Sequence, residues 1–377
     1  MSKLNIGRIQ NENEDGSASV SGISTFSSTA FLEVPKGTTA QRPDNPQPGM
    51  IRFNTDGGHL EYYTGDFWDE VLVENNTLDG GNRGLFGGGY APSTATSVST
   101  LDYITISSLG NAINFGSLTA GRRGVCSSSS STRGLFMGGY INGSGYRTTI
   151  DFVTFSSTGN ATSFGSLSQT KYCAGACSSS TRAVIGGAED GNVGGTNIID
   201  YVTIASTGNA QDFGDIAATG IIRHYGSCSS STRGLFIGGN VITPGSTNTN
   251  TIQYITISTT GNSLKFGELS TATVNRAFSN STRAVFYFSG SGTNTIEFVT
   301  IASTGNSQDF GDITTIRTDS SACSSPTRGV WGGGAAAGLQ NVIDYVTIAS
   351  TGNAVDFGDL TQARSQLAAC SNGHGGL

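Results

Sequence analysis

The chain has 377 residues, of which 55 are glycine and only 12% are charged, and its formal net charge is -7. This acidic balance argues against nucleic acid as a partner, because binding to phosphates needs a basic surface. There is no run of about 18 apolar residues, and the first residues lack the apolar core of a secretory signal, so we expect no membrane insertion.

The first quarter of the chain contains two segments of different character. Residues 1–30 are polar and are expected to form an extended arm. Residues 31–75 predict a small β-meander with strands at 50–54, 59–64 and 67–73, separated by glycine-containing turns. A sheet of this size buries little apolar surface alone. It must therefore pack on the rest of the chain, on copies of itself or on another protein.

Residues 76–377 repeat one unit six times. Two markers recur at intervals of 44–53 residues, an arginine before a glycine-rich phrase and a Gly-Asn turn. The arginines are Arg83, Arg133, Arg182, Arg233, Arg283 and Arg328, and the glycines are Gly110, Gly159, Gly208, Gly261, Gly305 and Gly352. Because two independent markers keep the same period, we interpret residues 76–377 as one domain of six units.

Each unit predicts four short strands. The clearest, such as residues 199–206, is apolar at consecutive as well as alternate positions, which indicates that both faces of the sheet are covered. Four strands in about 50 residues are typical of a β-propeller, in which each sheet lies between two neighbours. The unit that begins at Arg83 lacks a first strand, and residues 363–371 have the pattern of one, so we expect the C-terminal strand to complete that unit.

Two resemblances follow from these motifs. The units resemble kelch repeats because an apolar pair precedes two glycines, as Leu235 and Phe236 precede Gly238 and Gly239. They have phenylalanine where kelch units usually have tryptophan. This implies an all-β fold: a six-bladed kelch-like β-propeller closed by the C-terminal strand, preceded by a small β-meander and an extended N-terminal arm. Residues 37–68 resemble the short modules of bacteriophage tail-fibre proteins, and the glycine- and serine-rich repeats are similar to those of phages of marine cyanobacteria.

Residues that recur in every unit are interpreted as structural. We expect each repeated arginine to pair with an acidic residue across strands, with Gln253 as the exception. The acids are Asp102, Asp151, Asp200, Glu297 and Asp344. Five cysteines, Cys126, Cys177, Cys228, Cys323 and Cys370, occupy like places in successive units and are expected to be buried and reduced.

No catalytic, cofactor-binding or metal-binding set can be assembled. The three histidines, His59, His224 and His374, stand in different settings, and no glycine phrase continues into the Gly-Lys-Ser/Thr of a phosphate loop. Residues 189–192 lack the ligand spacing of an EF-hand. We therefore expect no enzyme activity and no cofactor.

Candidate binding residues come from the segments that differ between units and from the N-terminal meander. The loops after the glycine phrases are unlike one another, and a rigid scaffold that presents unlike loops is a common recognition arrangement. The candidates for receptor binding are Tyr146, Arg147, Asn192, Asn248, Asn250 and Gln340. Those for anchoring are Arg42, Pro43, Ile51, Phe53, Tyr62 and Trp68.

The phage resemblance implies a structural protein of the virion, associated with its tail fibre or baseplate. Its partners would be other virion proteins, further copies of the same chain in a homo-oligomer such as a trimer, and a host cell-surface glycan or protein. Two alternatives stay open at this point. One is a propeller enzyme that processes polysaccharides, and the other is a capsid decoration protein without a receptor role.

Overall fold

The computed structural model describes residues 34–71, 82–91, 96–191, 194–217, 220–243, 245–289 and 292–377. The chain divides into two units, Met1–Asn75 and Asn76–Leu377. Within the described ranges the protein is all-β, and its one helix is the 3-10 turn Thr39–Gln41. In the same ranges no helix is long and apolar enough to cross a membrane.

The first unit contains a small four-stranded sheet. Its strands, in spatial order, are Lys36–Gly37, Ile51–Asn54, His59–Tyr63 and Trp68–Glu70. The first pair is parallel and the other two pairs are antiparallel. The three predicted strands are present with narrower bounds, while residues 72–73 of the third prediction and the predicted arm at residues 1–30 lie outside the described residues. Sequence analysis missed the fourth because a two-residue Lys-Gly strand has no periodicity to detect.

The described part of the second unit contains six four-stranded antiparallel sheets, which we number by the arginine that opens the second strand. Sheet 1 consists of Ala368–Ser371, Arg83–Gly87, Thr100–Thr105 and Ile113–Ser117, and sheet 2 consists of Cys126–Ser129, Arg133–Met137, Thr149–Thr154 and Thr162–Ser166. Sheet 3 consists of Gly175–Ser178, Arg182–Ala188, Thr196–Thr203 and Gln211–Asp215, and sheet 4 consists of Gly226–Ser229, Arg233–Ile237, Thr251–Thr256 and Leu264–Glu268. Sheet 5 consists of Val274–Ser279, Arg283–Ser289, Thr295–Thr300 and Gln308–Asp312, and sheet 6 consists of Ser321–Ser324, Arg328–Gly332, Val342–Thr347 and Val355–Asp359.

Short strands extend the connections of some sheets. Tyr90–Ala91 pairs with Thr96–Ser97, and Tyr140–Ile141 pairs with Gly145–Tyr146. The strands Ile221–Arg223, Asn240–Thr243 and Thr247–Asn248 form a three-stranded sheet. These additions differ from unit to unit, in keeping with the unlike loop sequences.

The hydrophobic cores lie between neighbouring sheets. Leu85 and Phe115 of sheet 1, for example, pack with Phe136 and Val153 of sheet 2. Third strands therefore bury residues on both faces, as Ile150 and Asp151 show. The repeated Phe-Gly pair follows from the same close packing. At Gly214 an added Cβ would lie 2.5 Å from the carbonyl oxygen of Gly261 in the next sheet, so only glycine fits.

A closed series of hydrogen bonds, which we call the serine ring, joins the first strands of the six sheets. In each, a serine hydroxyl donates to the carbonyl oxygen of the equivalent serine in the neighbouring sheet, over 2.5–2.8 Å. The series runs through Ser129, Ser371, Ser324, Ser279, Ser229 and Ser178 and returns to Ser129. The expected C-terminal pairing is present, with Ser371 opposite Gly84 in sheet 1.

The repeated arginines do not pair with the acids, so that expectation was wrong. Each guanidinium lies 4.4–4.8 Å from the ring centre of an aromatic residue on the adjacent third strand, and its Nη1 donates to a carbonyl of the next sheet over 2.6–3.0 Å. Strand register explains the error, because Arg133 lies opposite Thr154 while Asp151 lies opposite Phe136.

Four of the five acids instead meet a second basic residue, which precedes the first strand of the same sheet. These buried ion pairs are Arg122–Asp151 at 2.6 Å, Lys171–Asp200 at 3.8 Å, Arg317–Asp344 at 2.8 Å and Arg364–Asp102 at 3.0 Å. In sheet 4 the neutral Gln253 accepts a hydrogen bond from Ser263 over 2.6 Å. In sheet 5 the hydroxyls of Ser270 and Ser307 donate to Glu297.

The cysteines are all free thiols, and five of the six are buried. The prediction that five cysteines occupy equivalent positions is wrong for Cys126. Cys177, Cys228, Cys323 and Cys370 occupy one register position, opposite Val184, Leu235, Val330 and Leu85. In sheet 2 that position holds Ser128, and Cys126 lies two residues earlier, opposite Met137.

Candidate functional site

A polar pocket forms where the chain enters the first strands, and we call it the first-strand pocket. In five units, the residue five positions before the serine of the serine ring adopts a left-handed conformation. These residues are Gly124, Cys173, His224, Asp319 and Gln366, with φ between 55° and 61°. Backbone hydrogen bonds of 2.8–2.9 Å connect them around the pocket. The amide of Gln366 donates to the carbonyl of Asp319, that of Gly124 to Gln366, that of Cys173 to Gly124, and that of His224 to Cys173.

Four of these five residues carry a polar side chain in a conformation that favours glycine. The left-handed region costs a non-glycine residue about 1–3 kcal/mol. Gly124 meets the same backbone requirement without that cost. The pocket therefore contains four polar groups on residues with an unfavourable backbone conformation: a thiol, an imidazole, a carboxylate and a carboxamide. Clustering of such strained residues is typical of functional sites.

Sheet 5 interrupts the pattern. Its first strand, Val274–Ser279, is longer than the others and pairs regularly with the second strand. The side chain of Arg276 fills the interrupted position. Its Nε donates to the carbonyl of Ser320 over 2.8 Å and its Nη2 donates to Asp319 over 3.0 Å. The indole of Trp331 donates to the Arg276 carbonyl over 3.0 Å, which holds the backbone of this segment.

The pocket has a cavity volume of 90 Å³, which exceeds the space needed for a few water molecules. Its lining includes Cys173, His224, Arg276, Asp319 and Gln366. The side chains of Arg276, His224 and Asp319 are 15%, 17% and 26% exposed. The five residues come from different units, so packing of the sheets alone brings them together.

The pKa values of the pocket groups favour binding over nucleophilic chemistry. Burial raises the pKa of the Cys173 thiol, with Asp319 adding to the effect. Burial and the nearby Arg276 lower the pKa of His224 to about 4. A reactive cysteine needs the opposite shifts, toward a thiolate and an imidazolium. At neutral pH both groups are uncharged.

A tyrosine cluster borders the pocket. Tyr146 makes edge contacts with Tyr140 and Tyr172, with ring centres 5.3 and 5.7 Å apart. The hydroxyl of Tyr172 donates to Gln366 over 3.1 Å, and its ring centre lies 6.5 Å from that of His224. Tyr146 is therefore the predicted receptor-binding residue that the structure connects to the pocket. Its hydroxyl donates to Glu189 over 2.9 Å.

The other predicted loop residues have different surroundings. Asn248 is exposed and accepts a hydrogen bond from Asn240 over 3.0 Å. The amide of Gln340 donates to Gly338 within its own loop, and Arg147 and Asn250 are half-buried. Asn192 lies outside the described residues.

The small sheet divides the predicted anchoring residues between its two faces. Ile51, Phe53 and Tyr62 are 50%, 37% and 37% exposed and share one face. The opposite face is polar and buried, and Glu61 lies at its centre. Arg42 donates to Glu61 over 2.5 Å and lies 5.8 Å from the ring centre of Trp68. Pro43 is exposed in the connecting segment.

The Glu61 cluster holds this sheet together through charge. Asn54 donates to Glu61 over 3.1 Å, and Arg52 lies 3.6 Å away. The hydrogen bond from Arg42 lowers the pKa of Glu61 below its usual value, although burial opposes the effect. The carboxylate is thus charged at neutral pH, and it fixes the sheet from its polar side, while Ile51, Phe53 and Tyr62 on the apolar side are partly exposed.

Sequence analysis missed the first-strand pocket, although a signal was present. Variation at a fixed position inside an otherwise repeated frame, five residues before the serine of the serine ring, marks Cys173, His224, Asp319 and Gln366. Among the described residues no group of three or more histidine, cysteine, aspartate or glutamate side chains could hold a metal ion.

No protein-family model matches the chain, and comparison with curated proteins gives no significant match.

Proposed function

We propose that the six sheets are the blades of a six-bladed, kelch-like β-propeller closed by the C-terminal strand. The serine ring supports this proposal, because six equivalent bonds return to their starting residue. The arginine bonds run through the sheets in the same way, from Arg83 to sheet 2 and finally from Arg328 back to sheet 1. The pairing of Ala368–Ser371 with Arg83–Gly87 supplies the closing strand.

The same proposal assigns the protein a non-enzymatic structural role in a bacteriophage particle, at the tail fibre or baseplate. The N-terminal unit attaches the chain to other virion proteins or to further copies of itself, and the propeller is displayed for recognition of the host surface. The resemblance of residues 37–68 to tail-fibre modules motivates the assignment. The observation that carries it is the uncovered apolar face of the small sheet.

That face has the character of a docking surface. Ile51, Phe53 and Tyr62 lie together, and Met50 and Phe67 in the adjoining turns are 40% and 59% exposed. Contiguous apolar surface of this kind marks interaction sites in soluble proteins. The ion pairs and hydrogen bonds of Glu61 hold the opposite face, so the apolar residues are presented on an ordered sheet. An apolar, preformed face fits assembly with a virion protein or a homo-oligomer.

The test introduces charge into this face of the full chain. Ile51→Asp combined with Phe53→Asp should reduce incorporation of the tagged chain into phage particles at least tenfold, while the protein stays folded. Val355→Asp is the matched control, because Val355 is 54% exposed on the outermost strand of sheet 6. Unchanged incorporation of the double variant, measured by quantitative mass spectrometry of purified particles, would refute the anchoring role.

The pocket chemistry favours recognition over polysaccharide processing. The raised pKa of Cys173 and the lowered pKa of His224 leave both groups neutral, and Asp319 is engaged by Arg276 over 3.0 Å. General acid-base cleavage of a glycosidic bond relies on a pair of carboxyl groups flanking that bond. Asp319 is the one carboxylate among the residues that line the pocket in the described structure.

A further inference from the structure

We propose that the first-strand pocket binds a neutral glycan, receiving one sugar ring edge between the Asp319–Arg276 pair and Gln366, beside the tyrosine cluster that borders the pocket. This inference rests on the proposed display of the propeller to a host surface, and it names the ligand class of that site.

The pocket is built from departures from the repeat. Five units lead into the first strand through a left-handed residue, and the unit of sheet 5 replaces this turn with a regular strand and Arg276. An architectural element alone would use the same residue in each unit, as the serine ring does. Here four units contribute four different polar groups at this position, and Gly124 in a fifth unit demonstrates that the turn itself needs none.

Charge at the pocket selects a neutral ligand. Arg276 and Asp319 form an ion pair at 3.0 Å and offset each other. His224 lies 3.7 Å from Asp319, and its lowered pKa keeps the imidazole uncharged at neutral pH. An anion would meet the carboxylate of Asp319, and a cation would meet the guanidinium of Arg276. A ligand without charge satisfies both.

The hydrogen-bonding groups select a ligand with hydroxyls. Within the described residues, Asp319 uses one carboxylate oxygen for Arg276, and Gln366 uses its amide oxygen for Tyr172. The second oxygen of Asp319 remains an acceptor, and the amide NH2 of Gln366 remains a donor. A sugar hydroxyl both donates and accepts, so neighbouring hydroxyls on one ring can satisfy an acceptor and a donor together.

The tyrosine cluster beside the pocket completes the match. Tyr172 has its ring against His224 and its hydroxyl on Gln366, and the rings of Tyr140 and Tyr146 lie within 6.3 Å of it. Aromatic faces pack against the C–H face of a pyranose, whereas planar carboxylate and amide groups bind its hydroxyls. The 90 Å³ cavity admits one edge of a sugar ring, and the remaining residues of a glycan would extend over the tyrosine cluster.

The experiment measures binding of methyl glycosides of glucose, galactose, mannose and N-acetylglucosamine to the purified full chain, by saturation-transfer NMR and titration calorimetry. At least one should bind, and Asp319→Gly and Gln366→Gly should each weaken that binding at least tenfold through loss of hydrogen bonds. Because both positions are left-handed, the glycine variants should keep the melting temperature within about 2 °C.

Matched variants separate the pocket from general effects. Asp319→Asn keeps the shape of the side chain and should also weaken binding, whereas Asp309→Asn, an exposed change on the outer strand of sheet 5, should not. The proposal is overturned if no glycoside binds the wild-type chain, if Asp319→Gly and Asp319→Asn both bind within twofold of wild type, or if glucuronate binds more tightly than methyl glucoside.

The outcome for this site is separable from the outcome for the proposed function. Glycoside binding is measured on the isolated chain, and particle incorporation is measured on virions. A chain that enters particles but binds no glycoside overturns the glycan assignment alone. A chain that binds a glycoside but is missing from particles overturns the virion role alone.

Discussion

The hydroxyl of Ser371 donates to the carbonyl oxygen of Ser324 over 2.5 Å, and this bond joins sheet 6 to the C-terminal strand of sheet 1. Ser371 lies in the strand that completes sheet 1, while Ser324 belongs to sheet 6. Both residues are fully buried. One side-chain hydrogen bond therefore connects sheet 6 to the strand that pairs with Arg83–Gly87 near the start of the domain.

Replacing Ser371 with alanine should destabilise the domain by about 1–3 kcal/mol, because the buried Ser324 carbonyl loses its hydroxyl partner. Urea unfolding monitored by far-ultraviolet circular dichroism measures the change. Ser108→Ala is the control, since Ser108 is exposed and its change should stay within about 0.5 kcal/mol. Equal midpoints for the two variants would argue against a stabilising serine ring.

The unit of sheet 4 suggests a pair of substitutions that could replace a buried ion pair. It holds Ile222 and Gln253 at the positions where sheet 2 holds Arg122 and Asp151. Arg122→Ile or Asp151→Gln alone should destabilise by about 3–5 kcal/mol, because each leaves one buried charge unpaired. The double variant should recover most of that loss, since it reproduces a combination that the chain already uses.

A double-mutant cycle of urea midpoints tests this coupling. A double variant no more stable than the worse single variant would contradict it. The comparison also separates two roles of the pair, because a recovered double variant means that the ion pair is replaceable and not a net source of stability.

His374 makes the stability of the last segment sensitive to acid. Its Nε2 donates to the Ser129 carbonyl over 2.9 Å, and its Nδ1 accepts from the Gly376 amide over 3.0 Å, which requires the neutral ring. Burial lowers the pKa of His374. Above the ordinary pKa of about 6.5 the ring is neutral in both states, and stability does not depend on its titration.

As pH falls below about 6.5, the unfolded segment takes up a proton before the folded one does, so the free energy of opening decreases until the folded pKa is reached. Hydrogen exchange of residues 372–377, corrected for intrinsic rates, should therefore show more opening at pH 5.5 than at pH 7.5. His374→Gln should remove this dependence, and His59→Gln should leave it. Persistence of the dependence in His374→Gln would exclude His374 as its source.

The cysteines should be inert in the folded chain. Burial raises the pKa of Cys126 and of Cys228 to about 12, and it also raises the pKa of Cys173, Cys177 and Cys370. A pKa of about 12 lowers the thiolate fraction roughly a thousandfold relative to free cysteine. An aromatic disulfide reagent at pH 8 should label none of the six thiols rapidly before denaturant is added. Fast labelling of Cys173 would contradict the account of the pocket.

Several features of the fold were predictable because they are local. The Gly-Asn turns, the consecutive apolar residues of the third strands and the regular spacing of Arg83 and its equivalents depend on neighbouring residues. The strand at Lys36–Gly37 was not predictable, since two residues have no period. The partner of each repeated arginine was also mispredicted, because cross-strand register places Arg133 opposite Thr154.

The sequence by itself determined that the chain is all-β, that one unit repeats, and that both faces of its sheets are covered. Each of these properties depends on patterns of apolar, glycine and turn residues that lie close together in the chain. Only the tertiary structure decided which face of the small sheet is left open, since the alternation of Ile51 and Phe53 with Arg52 and Asn54 is compatible with either. It also decided that His224, Arg276 and Asp319 meet, because residues 52 and 43 positions apart approach one another only through packing of the sheets.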